Sequence, residues 1–359
     1  MSASRRLLSM MAAVLALCMY TTAFADGFAG LGSDARGFAA VVPETLLVFP
    51  EDFGAHPSFR IEWWYLTANL KDASGASYGA QWTLFRQAME PGLERKGWTN
   101  QNVWMGHAAV TSANEHLFSE TLARGGIGQA GVSAKPFRAW IDDWYFATLD
   151  DSPGAGLSRL RVSASGLNFR YTLNLTTDKP LVLHGEEGFS RKSERGQASY
   201  YYSQPFFMVE GILIIRGREV RVSGQGWMDR EWSSQPLASD QKGWDWFSLH
   251  LSSGEKMMLF RLRSETARDF CSGTWIASDG TPQALESNDI TLKPLSEINL
   301  AGRTLPTTWK VQVKSRGLEI ETAPLNAESW MATSFSYWEG PISFGGSHQG
   351  EGYLEMTGY

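Results

Sequence analysis

Carboxylates set among aromatic rings are the residues of this chain best placed to do chemistry. Glu62 stands in "EWWY", Asp229 and Glu231 in "GWMDREW", and Asp245 in "GWDWF". On an extended strand, successive side chains alternate faces. Trp227, Asp229 and Glu231 therefore share one face, and Glu62 lies with Trp64, opposite Trp63 and Tyr65. If such a face turns inward, desolvation raises the acid's pKa and keeps a proton available at neutral pH. The group can then act as a general acid toward an apolar substrate. Rings beside it would stabilise positive charge as it develops, by about 2 kcal/mol per dry cation–π contact. The competing reading is structural. Arg86, Arg230 and Arg261 lie in adjoining strand segments, and an inward carboxylate can simply pair with one of them. Asp229 is the strongest candidate, because a second acid follows two residues later.

Other kinds of site find little support. The chain has no H-x-H, H-E-x-x-H or cysteine pair to hold a metal. Gly126-Ile127-Gly128-Gln129-Ala130-Gly131 matches a dinucleotide fingerprint, but no βαβ unit surrounds it, so it reads as a glycine-rich loop. His107 and His250 fall on strand patterns and could face a cavity, whereas His56 and His116 read as surface or turn residues. A hydroxyl from Tyr200-Tyr201-Tyr202 beside an acid would be a useful proton relay.

The elements that must position these residues are strands. Alternating segments such as "YGAQWTLFRQ", "FFMVEGILIIRG", "EVRVSGQGWM" and "KMMLFRLRS" recur between Gly, Asn, Asp and Ser turns, and helical periodicity is scarce. The class is all-β, barrel or sandwich. A faint internal duplication runs through it. Glu62-Trp63-Trp64, a hairpin and Leu84-Phe85-Arg86 are echoed by Asp245-Trp246-Phe247, a hairpin and Leu259-Phe260-Arg261. Glu210-Gly211 with Gly224-Gln225-Gly226-Trp227-Met228-Asp229 is echoed by Glu339-Gly340 with Gly350-Glu351-Gly352-Tyr353-Leu354-Glu355. Two similar β units are expected, 46–235 and 236–359, after a leader segment over 26–45.

Residues 1–25 read as a cleaved secretory signal: Arg5 and Arg6, an apolar run from Leu7 to Tyr20, then Ala23-Phe24-Ala25. The expected location is periplasmic or secreted, with no transmembrane segment in the mature chain. Removing the signal takes two arginines and no acid, so the net charge moves from −6 to −8. That balance argues against nucleic acid as a partner. Cys271 is then the sole cysteine, which leaves packing alone to hold the fold. The 15 Trp, 19 Phe and 11 Tyr suit a thick β core or a cavity lined for an apolar ligand.

The same stretches carry a family resemblance. "HPSFRIEWWYLTANL", "ASYYYSQP", "GWMDREWSSQ", "GWDWFSLHL" and the C-terminal "GEGYLEMTGY" resemble the AttH-like secreted proteins, which are related to carotenoid 1,2-hydratase (hydroxyneurosporene synthase). The resemblance implies two tandem lipocalin-like antiparallel β domains. In those hydratases an aspartate protonates a terminal alkene of an acyclic carotenoid, and water captures the carbocation. Their aspartate lies in a tyrosine-x-aspartate stretch that matches Trp227-Met228-Asp229 here, with Trp227 in place of the tyrosine and Arg230-Glu231 in place of a histidine–asparagine pair. The resemblance thus implies Asp229 as the acid; on the reading of the residues themselves, Glu231 or Glu62 would assist. Trp64, Tyr201, Trp227, Asp245 and His107 are the expected substrate-binding residues. No cofactor or metal is expected. Hydration, hydrolysis and non-enzymatic carriage of a lipid or other hydrophobe, the last alongside an ABC-type exporter, all stay open.

Overall fold

The computed structural model describes residue 31 and residues 35–149 and 156–359. The signal segment 1–25 and most of the leader before residue 35 lie outside the described residues. The body is two antiparallel β-sheets, each curled into a barrel-like unit, one of thirteen strands and one of ten. The first ends at Ser233, and the second begins at Gln241. Helix among the described residues is limited to single turns such as Glu51–Phe53 and Lys314–Arg316.

The echoed segments occupy matching places. In the first sheet, Ile61–Asp72 pairs with Ser77–Ala88 on one side and with Arg218–Ser233 on the other. In the second, Gln241–Leu251 pairs with Lys256–Ser264 and with Gly350–Thr357. Glu62 is directly opposite Arg86, and Asp245 is directly opposite Arg261.

These central strands bury both faces, which an ordinary one-sided sheet does not do. Trp64, Leu66, Ala68 and Leu70 enter the first core with Trp82, Trp104 and Phe146. Ile61 and Tyr65, on the other face of the same strand, pack with Tyr201, Trp227, Trp246, Phe260 and Tyr353 in a cluster drawn from both sheets. The second sheet repeats this division. Phe247, Leu249, Leu354 and Met356 fill its own core with Trp309 and Trp338, while Trp246 and Tyr353 turn toward the first sheet. Period-two alternation thus sorts side chains between a barrel interior and the junction of the two barrels.

Candidate functional site

A cavity of about 110 Å³ opens within that junction. The first sheet and its connections supply Trp63, Tyr65, Lys192, Tyr201, Asp229 and Glu231, and the second supplies Trp244, Trp246, Phe260 and Glu355. The odd-numbered face of Arg218–Ser233 brings Asp229 and Glu231 to the wall together, as alternation requires. Asp229 is opposite Tyr65 on one neighbouring strand and Ser203 on the other.

Asp229 is buried, and among the described residues it has no ion-pair partner. Its Oδ1 accepts hydrogen bonds from the Ser203 hydroxyl and from Trp227 Nε1, the latter at 2.8 Å. Burial pushes its pKa up to about 7, against those two hydrogen bonds and with help from the nearby charge of Glu231. Since Oδ1 already takes two donors, the acid proton belongs on Oδ2.

A relay stands behind this acid. Ser203 Oγ lies 2.6 Å from His184 Nε2, and His184 Nδ1 lies 2.8 Å from Thr274 Oγ1 in the second sheet. Because Ser203 donates to Asp229, His184 must donate from Nε2 and accept from Thr274 at Nδ1. Burial, then the charge of Lys192, lowers the His184 pKa to about 3, so the ring is neutral. The chain fixes the carboxyl without placing a positive charge beside it.

Its neighbours complete the wall. Glu231 accepts from Lys192 Nζ at 2.8 Å and from the Ser199 hydroxyl. Lys192 Nζ also lies 4.4 Å from the Phe260 ring centre and 4.9 Å from that of Tyr201. Trp246 Nε1 donates to the Tyr201 hydroxyl at 3.1 Å. Glu355 accepts from Trp244 Nε1 at 2.6 Å, and its cross-strand partner Glu339 accepts from the Tyr65 hydroxyl. Burial raises both glutamates' pKa values. The Trp244 bond opposes the rise at Glu355, and the charge of Glu355 adds to that at Glu339. The junction therefore holds Asp229, Glu339 and Glu355 in conditions that favour their neutral forms.

The structure separates the other expected residues from this site. Glu62 and Trp64 face the first barrel's interior, not the cavity. Both side-chain ends of Glu62 are taken, by Arg86 at Oε1 and Arg230 at Oε2, and all three side chains are fully buried. Burial alone would raise its pKa, but the two guanidinium groups outweigh that and hold it well below the usual carboxylate range. Glu62 is thus a structural ion-pair member and does not reach the cavity. His56 is not the surface residue expected: it stacks on Trp232 at 4.0 Å and joins Glu62 to Asp52. Trp64 lies under Arg230, 3.9 Å from its guanidinium carbon, so it supports that clamp and lines no ligand space. Asp245 is likewise in its own barrel, held by Arg261, Arg263 and the Tyr359 hydroxyl. Trp227 stands behind Asp229 as a hydrogen-bond donor. His107 lines a second, adjoining cavity, with its nitrogens on Tyr337 and Glu120.

Glu355, Glu339, Tyr65, Lys192 and His184 were missed from sequence. The signal for two of them was present: Glu339 in "YWEG" and Glu355 in "GYLEM" are also carboxylates among rings, and they open and close the echoed stretch.

Comparison with known proteins places this architecture. The AttH-like family model matches residues 40–359. A crystal structure of a Nitrosomonas europaea protein that carries the AttH name is 32% identical and superposes with a TM-score of 0.79, covering 90% of this chain and 99% of that one. Kievitone hydratase from Nectria haematococca is 16% identical with a TM-score of 0.67, covering 89% of this chain and 96% of its own. CghA, solved with Sch210972, is 12% identical with a TM-score of 0.54, over 91% and 95%. At those identities the last two share the fold alone. No match arises among curated proteins.

Proposed function

The chain belongs to the AttH-like family, and from that premise we propose that the cavity between its sheets takes an apolar small molecule to which Asp229 gives a proton. The reaction that fits is hydration of a carbon–carbon double bond. Oδ2 of Asp229 transfers its proton to one alkene carbon, and the other carbon becomes a cation beside Trp63, Tyr65 and Trp246. Water adds to that cation, and its surplus proton returns to the carboxylate side of the site, where Glu355 stands with Asp229. Atoms and charge balance without any redox partner.

The observation that carries this reading is the setting of Asp229: buried on the cavity wall and tied by neutral donors only, so that burial pushes its pKa up to about 7. The rate should fall as pH rises through about 7, because the ionised form cannot donate. The name of kievitone hydratase, a neighbour in fold, points to the same class of chemistry. Export by residues 1–25 would place the work in the periplasm, which cell fractionation tests directly.

The test is a comparison of co-purified ligands. Native mass spectrometry of wild-type protein from its own cells should show a hydrophobe heavier by one water than the one retained by Asp229→Asn. Turnover by the variant should drop by about 10²–10⁴-fold. If both proteins hold the same unaltered molecule, the protein is a carrier and the acid role is wrong.

A further inference from the structure

The small acid-walled cavity has a neighbour across part of its wall. A second cavity of about 280 Å³ shares Leu31, Ile61, Phe85, Trp244 and Glu355 with it, so these side chains form the boundary, or neck, between the two. Their chemistry differs. In the second, His107 has one nitrogen on the Tyr337 hydroxyl at 2.9 Å and the other on Glu120 at 3.0 Å. At the neck, the Trp244 indole is spent on Glu355, and its backbone N–H on Thr357 Oγ1 at 3.0 Å. These groups satisfy one another and leave little that would reward a polar ligand atom. Apart from Gln87 and Ser334, the latter tied to Glu120, the rest of the wall is carbon, chiefly from Val103, Met105, Leu122 and Phe335. Three of those are unusually open for large apolar residues: Leu122 is 55% exposed, and Val103 and Phe335 are each 41% exposed. They form a greasy rim where the second cavity meets solvent.

We propose that the ligand is a long hydrocarbon chain carried end-on, its reactive end among Asp229, Glu231 and Glu355 and its tail running through the neck to the rim at Leu122. The reactive end's position rests on the proposed function; the tail site rests on the second cavity alone. A compact polar substrate would leave that cavity empty, and an apolar pocket that stays unfilled gives up the burial energy it could supply.

The experiment uses 1-alkanols from hexanol to tetradecanol as probes, with the quenching of tryptophan fluorescence as the readout. Affinity should rise by about fourfold per added methylene, the increment for burying one such group. Met105→Trp, which fills the second cavity, should leave the short alcohols bound as before and abolish the gain from the longer ones. Leu122→Glu, at an exposed position, should weaken the longest probes alone. Affinity that levels off at the shortest chains in the wild type would overturn the proposal, as would unchanged long-chain binding in Met105→Trp. The series reads binding and not turnover, so a failure of the proton-transfer reading would show in turnover and leave this series intact.

Discussion

Glu62 and Asp245 sit inside the two barrels against guanidinium groups, whereas Asp229 and Glu355 sit between the barrels against rings and neutral donors. Each sheet contributes one member to each set, at echoed positions in the chain. Glu62, Asp245 and Asp229 are buried and Glu355 is partly so, so burial does not sort the two sets. The partner does. At Glu62 two buried arginines reverse the desolvation penalty and keep the group charged. At Asp229 a serine and an indole only soften it, and the proton stays near neutral pH. Similar carboxylates are thus held charged or favoured in their neutral form according to what the opposing strand supplies.

The largest effect expected from breaking this contrast is at the clamp. Glu62→Gln leaves two buried guanidinium groups without their counter-charge and should lose about 3–5 kcal/mol in denaturant unfolding; a loss under 1 kcal/mol would remove the clamp from the account. The pH dependence comes next. Asp229 binds its proton more tightly folded than unfolded, so its contribution is complete below about pH 4 and is lost as pH rises through about 7. The slope is about 1.4 kcal/mol per pH unit per group. Glu62 acts oppositely: its depressed pKa gives stability that is present above the unfolded value and lost as pH falls below it. The melting temperature should therefore decline between pH 5 and about 8, and Asp229→Asn should flatten that decline. An equal decline in the variant would show that Asp229 does not carry it. Smallest is Asp245→Asn. Its arginines are partly exposed, at 14% and 17%, so water can replace some of the lost charge. A loss of about 2 kcal/mol is expected by the same unfolding measurement; a loss matching Glu62→Gln would show that the two clamps are energetically equal.

Much of this was legible without coordinates. The strand pattern announces an all-β body, and alternation puts Trp227, Asp229 and Glu231 on one face, where the structure has them. The echo between 224–229 and 350–355 pointed at Glu355 as firmly as at Asp229, yet only the first was taken up. Glu62 went astray for a different reason. Its strand is buried on both sides, so being hidden among rings did not say which side held the cavity. Trp64 and Asp245 share that ambiguity. Lys192 and His184 carry no motif, and connections between strands bring Lys192 to the wall and His184 behind it.

Sequence alone determined the strands, their two-residue alternation, the repeated arrangement and the presence of acids among rings, because these depend on residues near one another along the chain. Tertiary structure decided which acid keeps its proton. That outcome depends on groups distant in sequence: Arg230 reaching Glu62, and His184 of one unit bridging Ser203 to Thr274 of the other. The charge state of a buried carboxyl is set by the few ångströms around it, and folding chooses what occupies them.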